Sequence, residues 1–397
     1  MSRSTERIPF ARPSIGEAER QAALRVLDSG WLTTGPEAAA LEAELAELVG
    51  APYAKAVSSA TAGLHLALEA MGVAPGDRVA MSPYTFTSTA EVVRYLGADP
   101  LFCDIEEESC NLDPDALEAK VEEAEARGER VTAVIPVHVG GFPCAMERIT
   151  EICRRHEAWL LEDAAHALPV HTEQGHLGTI GDAGVYSFYA TKPLTTGEGG
   201  MVVTHHAALA ERIDVMRLHG IDRDIWDRYR SVGAEWRYDV VAPGFKYNMP
   251  DLLAAVGRAQ LQRLVEMTER RREIARRYRE ALGTRDYLRL PPDAPEHSWH
   301  LFILGLDPER LTIDRDSFVA ELAHRGIGSS VHYIPLHTMT YYRERYGHRP
   351  EDFPRALARY RSSLSLPLYP DMQDREVQAI IEAVLEIGDA HRVLASS

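Results

Sequence analysis

Short apolar runs alternate with helical or turn segments through the first two-thirds of the chain. Strands that alternate with helices in this way are typical of βαβ units, in which helices cover both faces of a mostly parallel sheet. The pattern therefore predicts an α/β fold. The predicted strands are Arg78–Met81, Pro100–Ile105, Val131–Val137, Trp159–Asp163, Val185–Phe188 and Met201–Thr204.

The pattern changes after Pro250–Ala255, where a long helix with an arginine-rich run follows. We place a boundary near Gly257. This divides the chain into a large domain over residues 1–256, which includes the N-terminal segment, and a smaller C-terminal α/β domain over residues 257–397. The elements predicted for the smaller domain are a strand at His300–Leu304, a helix over Ser317–His324, a strand near Ser330–Tyr333 and a closing helix over Val377–Ile387.

Charge restricts the partners of this chain. Its 397 residues have a formal net charge of −17. Long-range repulsion then opposes nonspecific binding to nucleic acid and to anionic membranes, so we expect neither as a partner. The arginine-rich run is interpreted as a solvated helix face, with Glu266–Arg270 and Glu273–Arg277 at the spacing of helical ion pairs.

The cysteines and the apolar segments favour a cytoplasmic protein. Cys103, Cys110, Cys144 and Cys153 form no CxxC pair and no zinc-type spacing with histidine, so we expect no metal site. No apolar signal region follows Met1–Arg7, and the apolar run Val131–Val139 is too short to span a bilayer.

Lys192 is the main chemical candidate. It lies on a short loop between the predicted strands Gly184–Phe188 and Gly200–Thr204, next to a glycine-rich turn. Burial and fixed neighbours lower the pKa of a lysine amine, and the neutral amine can form a Schiff base with an aldehyde cofactor. The alternative is an ordinary surface lysine in a turn.

Asp163 and His166 follow the apolar run Trp159–Asp163. The carboxyl end of a strand in an α/β sheet is where ligands bind. A carboxylate there can keep the ring nitrogen of pyridoxal phosphate (PLP) protonated, and His166 could reach the ring hydroxyl. Alternatively, Asp163 is a helix N-cap and His166 is a structural histidine.

Two segments could hold a phosphate. Ser187 lies five residues before Lys192, and the small and hydroxyl residues Val57–Gly63 lead into a helix. The unpaired N–H groups and the dipole of a helix start attract anions, although ordinary capping explains such residues equally well. The chain lacks the GxGxxG and GxxxxGK motifs of dinucleotide and triphosphate loops.

Three ordered motifs resemble the DegT/StrS family of PLP-dependent nucleotide-sugar aminotransferases: Ser58–Gly63, Glu162–Ala167 and Ser187–Lys192. The likeness runs from about Pro9 to Ile387. Further segments that resemble the family are Ile8–Ser14, Ser29–Pro36, Pro83–Phe86, Gly244–Met249 and Ser365–Pro370.

The resemblance implies PLP fold type I, with the cofactor bound by the large domain, and a homodimer with shared active sites. It implies that Lys192 forms the Schiff base, that Asp163 binds the pyridine nitrogen and that His166 contacts the ring hydroxyl. It also implies that Phe86 stacks on the ring. The phosphate contacts it implies are Ser187, the backbone around Thr61 and Ala62, and Asn248 from the second subunit; further pocket residues are Phe10, Trp31, His332 and His337.

The resemblance further implies glutamate as amino donor and a nucleotide-linked 3- or 4-keto-sugar as acceptor. The segments Ile8–Pro13 and Lys246–Asn248 look more like enzymes acting on UDP-4-keto-sugars. Ala60 stands where many relatives have glycine, and Lys246–Asn248 replaces a more common Asn-Tyr-Arg pattern. Lys192 favours transamination over the dehydration of relatives that carry histidine there. A PLP lyase or aldolase and a catalytically silent sugar-binding regulator remain alternatives.

Overall fold

The computed structural model describes residues 7–222 and 238–393. Its central sheet has seven strands in the order β1-β9-β8-β5-β4-β2-β3. Strands β3, β2, β4, β5 and β8 run parallel, whereas β9 pairs antiparallel with both β8 and β1. The strands are β1 (Tyr53–Val57), β2 (Arg78–Met81), β3 (Asp99–Phe102), β4 (Val131–Ile135), β5 (Trp159–Asp163), β8 (Ala183–Ser187) and β9 (Gly200–Thr204), and the hairpin β6 (His171–Thr172) and β7 (Gly175–His176) lies outside this sheet.

Helices cover both faces of the sheet. Successive residues of a strand point to opposite faces, so Val79 of β2 joins one hydrophobic cluster and Ala80 joins another. Both faces are therefore buried, as the continuous apolar sequence of β4 predicts. The helices are α1 (Glu17–Ser29), α2 (Pro36–Val49), α3 (Ala60–Ala70), α4 (Thr87–Tyr95), α5 (Pro114–Ala126), α6 (Met146–Arg155) and α7 (Ala207–Met216).

A long helix, α8 (Asp251–Leu282), connects the two parts of the chain. It packs against α1 and α2 near its start, whereas Ile274 and Tyr278 belong to the second hydrophobic core. The predicted boundary near Gly257 thus lies inside a continuous helix. The predicted i,i+4 ion pairs on α8 were wrong, because Arg270 and Arg277 both reach across to Asp374.

The C-terminal part contains a three-stranded antiparallel sheet and its own core around Phe302, Phe318 and Val384. Ile8, near the start of the chain, also packs in this core and bridges to Ile327. The elements are β10 (Leu288–Arg289), β11 (Phe302–Leu306), β12 (Ser363–Leu366), α9 (Arg315–His324), α10 (Thr340–Tyr346), α11 (Pro354–Ser362) and α12 (Asp374–Ala390).

The predicted strand near Ser330–Tyr333 was wrong. Only Ser330 pairs with the sheet, through an isolated bridge to Ser365. After Ser330 the contacts are made by side chains instead of a backbone ladder: His332 Nδ1 contacts Ser365 Oγ at 2.8 Å, and Tyr333 lines a cavity. This segment therefore brings the C-terminal part to the site described next.

Candidate active site

A cavity of about 410 Å³ opens where β5 and β8 end. Ligands of α/β proteins bind at this edge of the sheet, and the volume is within the usual range of small-molecule pockets. His300, His332 and Tyr333 close it from the C-terminal part of the chain. Six of the eight predicted site residues line it: Thr61, Phe86, Asp163, His166, Ser187 and Lys192.

Lys192 lies on the tight loop between β8 and β9. Its backbone N–H donates to the carbonyl of Tyr189 at 2.9 Å, which fixes the turn. Burial lowers the pKa of its amine from 10.5 to about 8, although the charge of Asp163 opposes this effect. About a tenth of the amine is therefore neutral near pH 7 and about half near pH 8, and the neutral amine is the form that attacks an aldehyde.

Asp163 is the last residue of β5, and only 5% of it is exposed. Its Oδ1 accepts from the N–H of Ala165 at 3.2 Å, and its Oδ2 accepts from Thr89 Oγ1 at 2.8 Å. Burial raises the pKa of this carboxyl above its usual value, although these two hydrogen bonds and the charges of Lys192 and His138 partly oppose the effect. The result is a carboxylate fixed at the cavity wall.

His166 is held through both ring nitrogens. Gly140 N–H donates to Nδ1 at 3.1 Å, and Nε2 lies 3.1 Å from the hydroxyl oxygen of Tyr333. Because an amide N–H can only donate, Nδ1 accepts and the ring proton lies on Nε2. Burial, assisted by Lys192, lowers the pKa of His166 well below 6.5, so the ring is neutral.

The start of α3 forms the end of the cavity suited to an anion. Ser59 caps the helix, and its Oγ accepts from the N–H of Ala62 at 3.1 Å. Ala62 itself does not line the cavity, whereas Ser59, Ala60 and Thr61 do. Gly200 lets β9 approach this helix start, since a Cβ there would lie 2.7 Å from Ala60 N.

The other predicted residues are more scattered. Phe86 lines the cavity and is 60% exposed, which leaves a ring face available. Asn248 does not line the cavity of its own chain, and its Nδ2 donates to Thr34 Oγ1 at 2.6 Å. Phe10 and His332 line the cavity, but Trp31 does not. His337 was wrongly predicted as a pocket residue: it is buried against Phe353, and its Nε2 contacts Pro350 O at 3.0 Å.

Sequence reasoning missed Thr89, His300 and Tyr333. Thr89 follows the recognised Pro83–Phe86 segment on the same helix start, and Tyr333 is adjacent to His332, so both were within reach of a motif. His300 was assigned only to a strand. Its ring centroid lies 4.5 Å from that of His166, and its buried Nδ1 has no hydrogen-bond partner among the described residues.

These residues fit PLP. An amine of low pKa can bond to the aldehyde, and a buried carboxylate can accept a hydrogen bond from the pyridine nitrogen. The N–H groups of a helix start can bind the phosphate. The unpaired His300 Nδ1 is a further polar atom beside the cavity, as expected where a polar ligand belongs. Among residues 7–222 and 238–393, no group of three His, Cys, Asp or Glu side chains could hold a metal ion.

Comparison with known proteins identifies the family. The model of the DegT/DnrJ/EryC1/StrS aminotransferase family matches residues 13–385. The chain belongs to this family. The spore coat polysaccharide biosynthesis protein SpsC of Bacillus subtilis (strain 168) is 46% identical over 383 residues, which are 96% of this chain and 97% of SpsC.

Solved structures agree with this assignment. Spr1654 from Streptococcus pneumoniae in its PLP form is 30% identical and superposes with a TM-score of 0.88, over 97% of this chain and 99% of that one. Helicobacter pylori PseC, an aminotransferase involved in the biosynthesis of pseudoaminic acid, is 27% identical with a TM-score of 0.88, over 97% of this chain and 100% of PseC. The predicted family, PLP fold type I, the class of PLP-dependent sugar aminotransferases and the cofactor PLP are thus confirmed.

Over the described part of the chain, every helix is either too short or too polar to cross a lipid bilayer.

Proposed function

We propose that this aminotransferase moves the amino group of glutamate to a nucleotide-linked keto-sugar, specifically a UDP-4-keto-sugar, in amino-sugar, polysaccharide or natural-product biosynthesis. The observation that carries the proposal is the position of Lys192, which lines the same cavity as Asp163. Its amine has a pKa of about 8, so it can act as a base and as a nucleophile. The names of SpsC and PseC, which refer to polysaccharide and pseudoaminic acid biosynthesis, support a sugar pathway.

Lys192 is the proposed catalytic residue. Bound PLP supplies an aldehyde that captures amines and a ring that withdraws electrons from the carbon losing a proton. Lys192 Nζ would hold the cofactor through this aldehyde, because its low pKa provides the neutral amine that the bond needs. As a free amine, Nζ would take the proton from the α-carbon of glutamate and carry it to C4′ of the cofactor.

The remaining residues bind and orient. Asp163 would accept a hydrogen bond from the protonated ring nitrogen, His166 would lie at the ring hydroxyl, and Phe86 would support the ring face. Ser187, with the backbone N–H groups around Thr61 and Ala62, would bind the phosphate. Lys192 Nζ would move a proton in both halves of the reaction: water supplies the keto oxygen of 2-oxoglutarate in the first half, and the sugar carbonyl oxygen departs as water in the second.

The proposal includes a homodimer in the cytoplasm. Asn248 does not line the cavity of its own chain, and its Nδ2 donates to Thr34 Oγ1 at 2.6 Å. We infer that it completes the phosphate site of a second subunit, so that each active site needs two chains.

The direct test is a screen of keto-sugar nucleotides with glutamate as donor, followed by mass detection of the amino product. Lys192→Ala should abolish turnover and any borohydride-trapped adduct on the intact protein. Lys120→Ala, which removes an exposed lysine paired with Glu123, is the matched control and should keep both. A reduced adduct on a residue other than Lys192 would contradict the assignment.

A half-reaction separates transamination from lyase or aldolase chemistry. Glutamate alone should deplete the visible absorbance band of the cofactor, because the amino group stays in the site after 2-oxoglutarate leaves. A band that glutamate leaves intact would favour the lyase alternative, and a protein that stays colourless with PLP would favour a silent regulator.

A further inference from the structure

Asp163 is connected to a buried chain of two hydroxyl groups. Thr89 Oγ1 lies 2.8 Å from Asp163 Oδ2, and Thr85 Oγ1 lies 2.8 Å from Thr89 Oγ1. Thr89 is fully buried and Thr85 is 2% exposed. Water is therefore kept from both hydroxyls, and the chain of bonds is a fixed part of the site rather than a surface arrangement.

The direction of this chain follows from proton counting. An ionised carboxylate only accepts hydrogen bonds, so the single hydroxyl proton of Thr89 points to Asp163. Thr89 Oγ1 must then accept the proton of Thr85 in the contact between the two threonines. Hydrogen bonds aligned head to tail polarise one another, so Thr85 strengthens the bond that Thr89 donates.

The chain has a consequence for the proposed chemistry, on which this inference rests. Burial disfavours the ionised form of Asp163, and the hydrogen bonds from Thr89 and Ala165 and the charges of Lys192 and His138 oppose that effect. The Lys192 charge is not constant, because its amine gives up and regains a proton during turnover. The Thr89 hydroxyl donates a side-chain hydrogen bond to this carboxylate, and that bond stays in place while the Lys192 charge changes.

We propose that Thr89, supported by Thr85, is a positioning residue that fixes the Asp163 carboxylate in the orientation and charge state required by the pyridine nitrogen of PLP. Thr89 donates to Oδ2, and Ala165 N–H donates to Oδ1. A second lone pair of Oδ1 is then available to accept a hydrogen bond from the ring nitrogen. Thr85 and Thr89 lie on either side of Phe86 at the start of α4. The same helix start therefore fixes the position of the aromatic ring and the orientation of the carboxylate.

The test replaces the hydroxyl with a methyl group of similar size. Thr89→Val should weaken PLP binding by about tenfold or more, the usual effect of losing a hydrogen bond to a charged group. The midpoint of the pH titration of the visible cofactor band should rise by about half a pH unit or more, because a ring that loses its nitrogen proton withdraws less electron density. Thr89→Ser keeps the hydroxyl and should restore both values.

Two controls separate positioning from general damage. Thr87→Val makes the same change on the same helix at a side chain that contacts Glu91 at 3.3 Å, and it should leave affinity and titration unchanged. In an Asp163→Asn background, Thr89→Val should have no further effect on PLP affinity, since the charge that Thr89 serves is already gone.

Several outcomes would overturn the inference. One is a Thr89→Val protein with wild-type PLP affinity and titration midpoint. Another is a Thr89→Ser protein that restores neither value. The third is a Thr89→Val substitution that weakens PLP binding equally in the wild-type and Asp163→Asn backgrounds. If Thr89→Val does not fold, Thr85→Val decides the question with the same two measurements and a smaller expected shift. Failure of the proposed function looks different: the wild-type protein binds PLP but passes no amino group from glutamate to a keto-sugar nucleotide.

Discussion

The hydroxyl oxygen of Tyr333 lies 3.1 Å from Nε2 of His166 and joins the C-terminal part of the chain to the end of β5. Since Gly140 N–H occupies Nδ1, the Nε2 proton is donated to Tyr333. Burial raises the pKa of Tyr333, so its hydroxyl keeps its own proton. That proton is the one Tyr333 can direct into the cavity.

Tyr333→Phe should therefore lower kcat by about tenfold, in line with the loss of one oriented donor and of the partner that holds His166. The ring is retained, so the melting temperature should change little. Steady-state kinetics and thermal unfolding measure the two quantities. Tyr341→Phe, at an exposed tyrosine whose hydroxyl accepts from Arg94 at 3.3 Å, is the control. Equal kcat values for wild type and Tyr333→Phe would exclude this role.

The sequence predicted the residues that lie in continuous motifs at strand ends. Asp163 and His166 follow β5, and Ser187 and Lys192 follow β8, so a local pattern was sufficient to bring them to one edge of the sheet. Tyr333 is adjacent to the predicted pocket residue His332, but its contact with His166, 167 residues away, is a tertiary feature that the sequence alone does not show.

Another failure also has a physical cause. Strand β1 was missed because Lys55 interrupts its apolar pattern, and the structure stabilises this charge by pairing it with Asp214, 159 residues away. The boundary near Gly257 stays a prediction: it lies within α8, and the opposite ends of this helix pack in different cores.

The pH dependence of stability should report the Lys192 environment. In the cofactor-free protein the folded-state pKa of about 8 lies below the unfolded value of 10.5. Between these values the unfolded chain binds more protons, so the free energy of unfolding rises with pH. Lys192→Met lacks this contribution. It should be more stable than wild type near pH 7 by on the order of 3 kcal/mol, and its advantage should shrink from pH 8 to 10.5.

Urea unfolding of both apoproteins at several pH values measures this difference. Comparing the two proteins cancels the titration of all other groups that the substitution leaves unaffected. An advantage that is constant from pH 7 to 10.5 would mean that the Lys192 amine is not destabilised as an ion in the folded state.

Phe86 should matter for PLP but not for folding. Its side chain is 60% exposed, so truncation removes little buried apolar surface. Phe86→Ala should weaken PLP binding by about tenfold, which corresponds to the loss of one aromatic contact, with little change in melting temperature. Tyr95→Ala, at a 56% exposed aromatic on the same helix, is the control for exposed rings and should keep PLP affinity. Unchanged affinity in Phe86→Ala would rule out ring support.

Mixed dimers test whether Asn248 acts across the subunit interface. Asn248→Asp keeps an oxygen for Lys246 and loses only the hydrogen bond from Nδ2 to Thr34 Oγ1, whose own proton goes to Met249 O. Its negative charge should repel a phosphate, so the variant alone should be nearly inactive with wild-type folding. The Lys192→Ala variant is inactive for a different reason, which makes the two suitable partners.

If sites are shared, a mixed dimer contains one complete site. The Asn248→Asp subunit supplies Lys192, and the Lys192→Ala subunit supplies an intact Asn248. Refolding equal amounts of the two variants together should then recover about a quarter of wild-type activity, because half of the dimers are mixed and each has one working site. If Asn248 acts within its own chain, both sites of every mixed dimer carry a defect and no activity returns. Activity of the mixture, compared with each variant refolded alone, decides between the two arrangements.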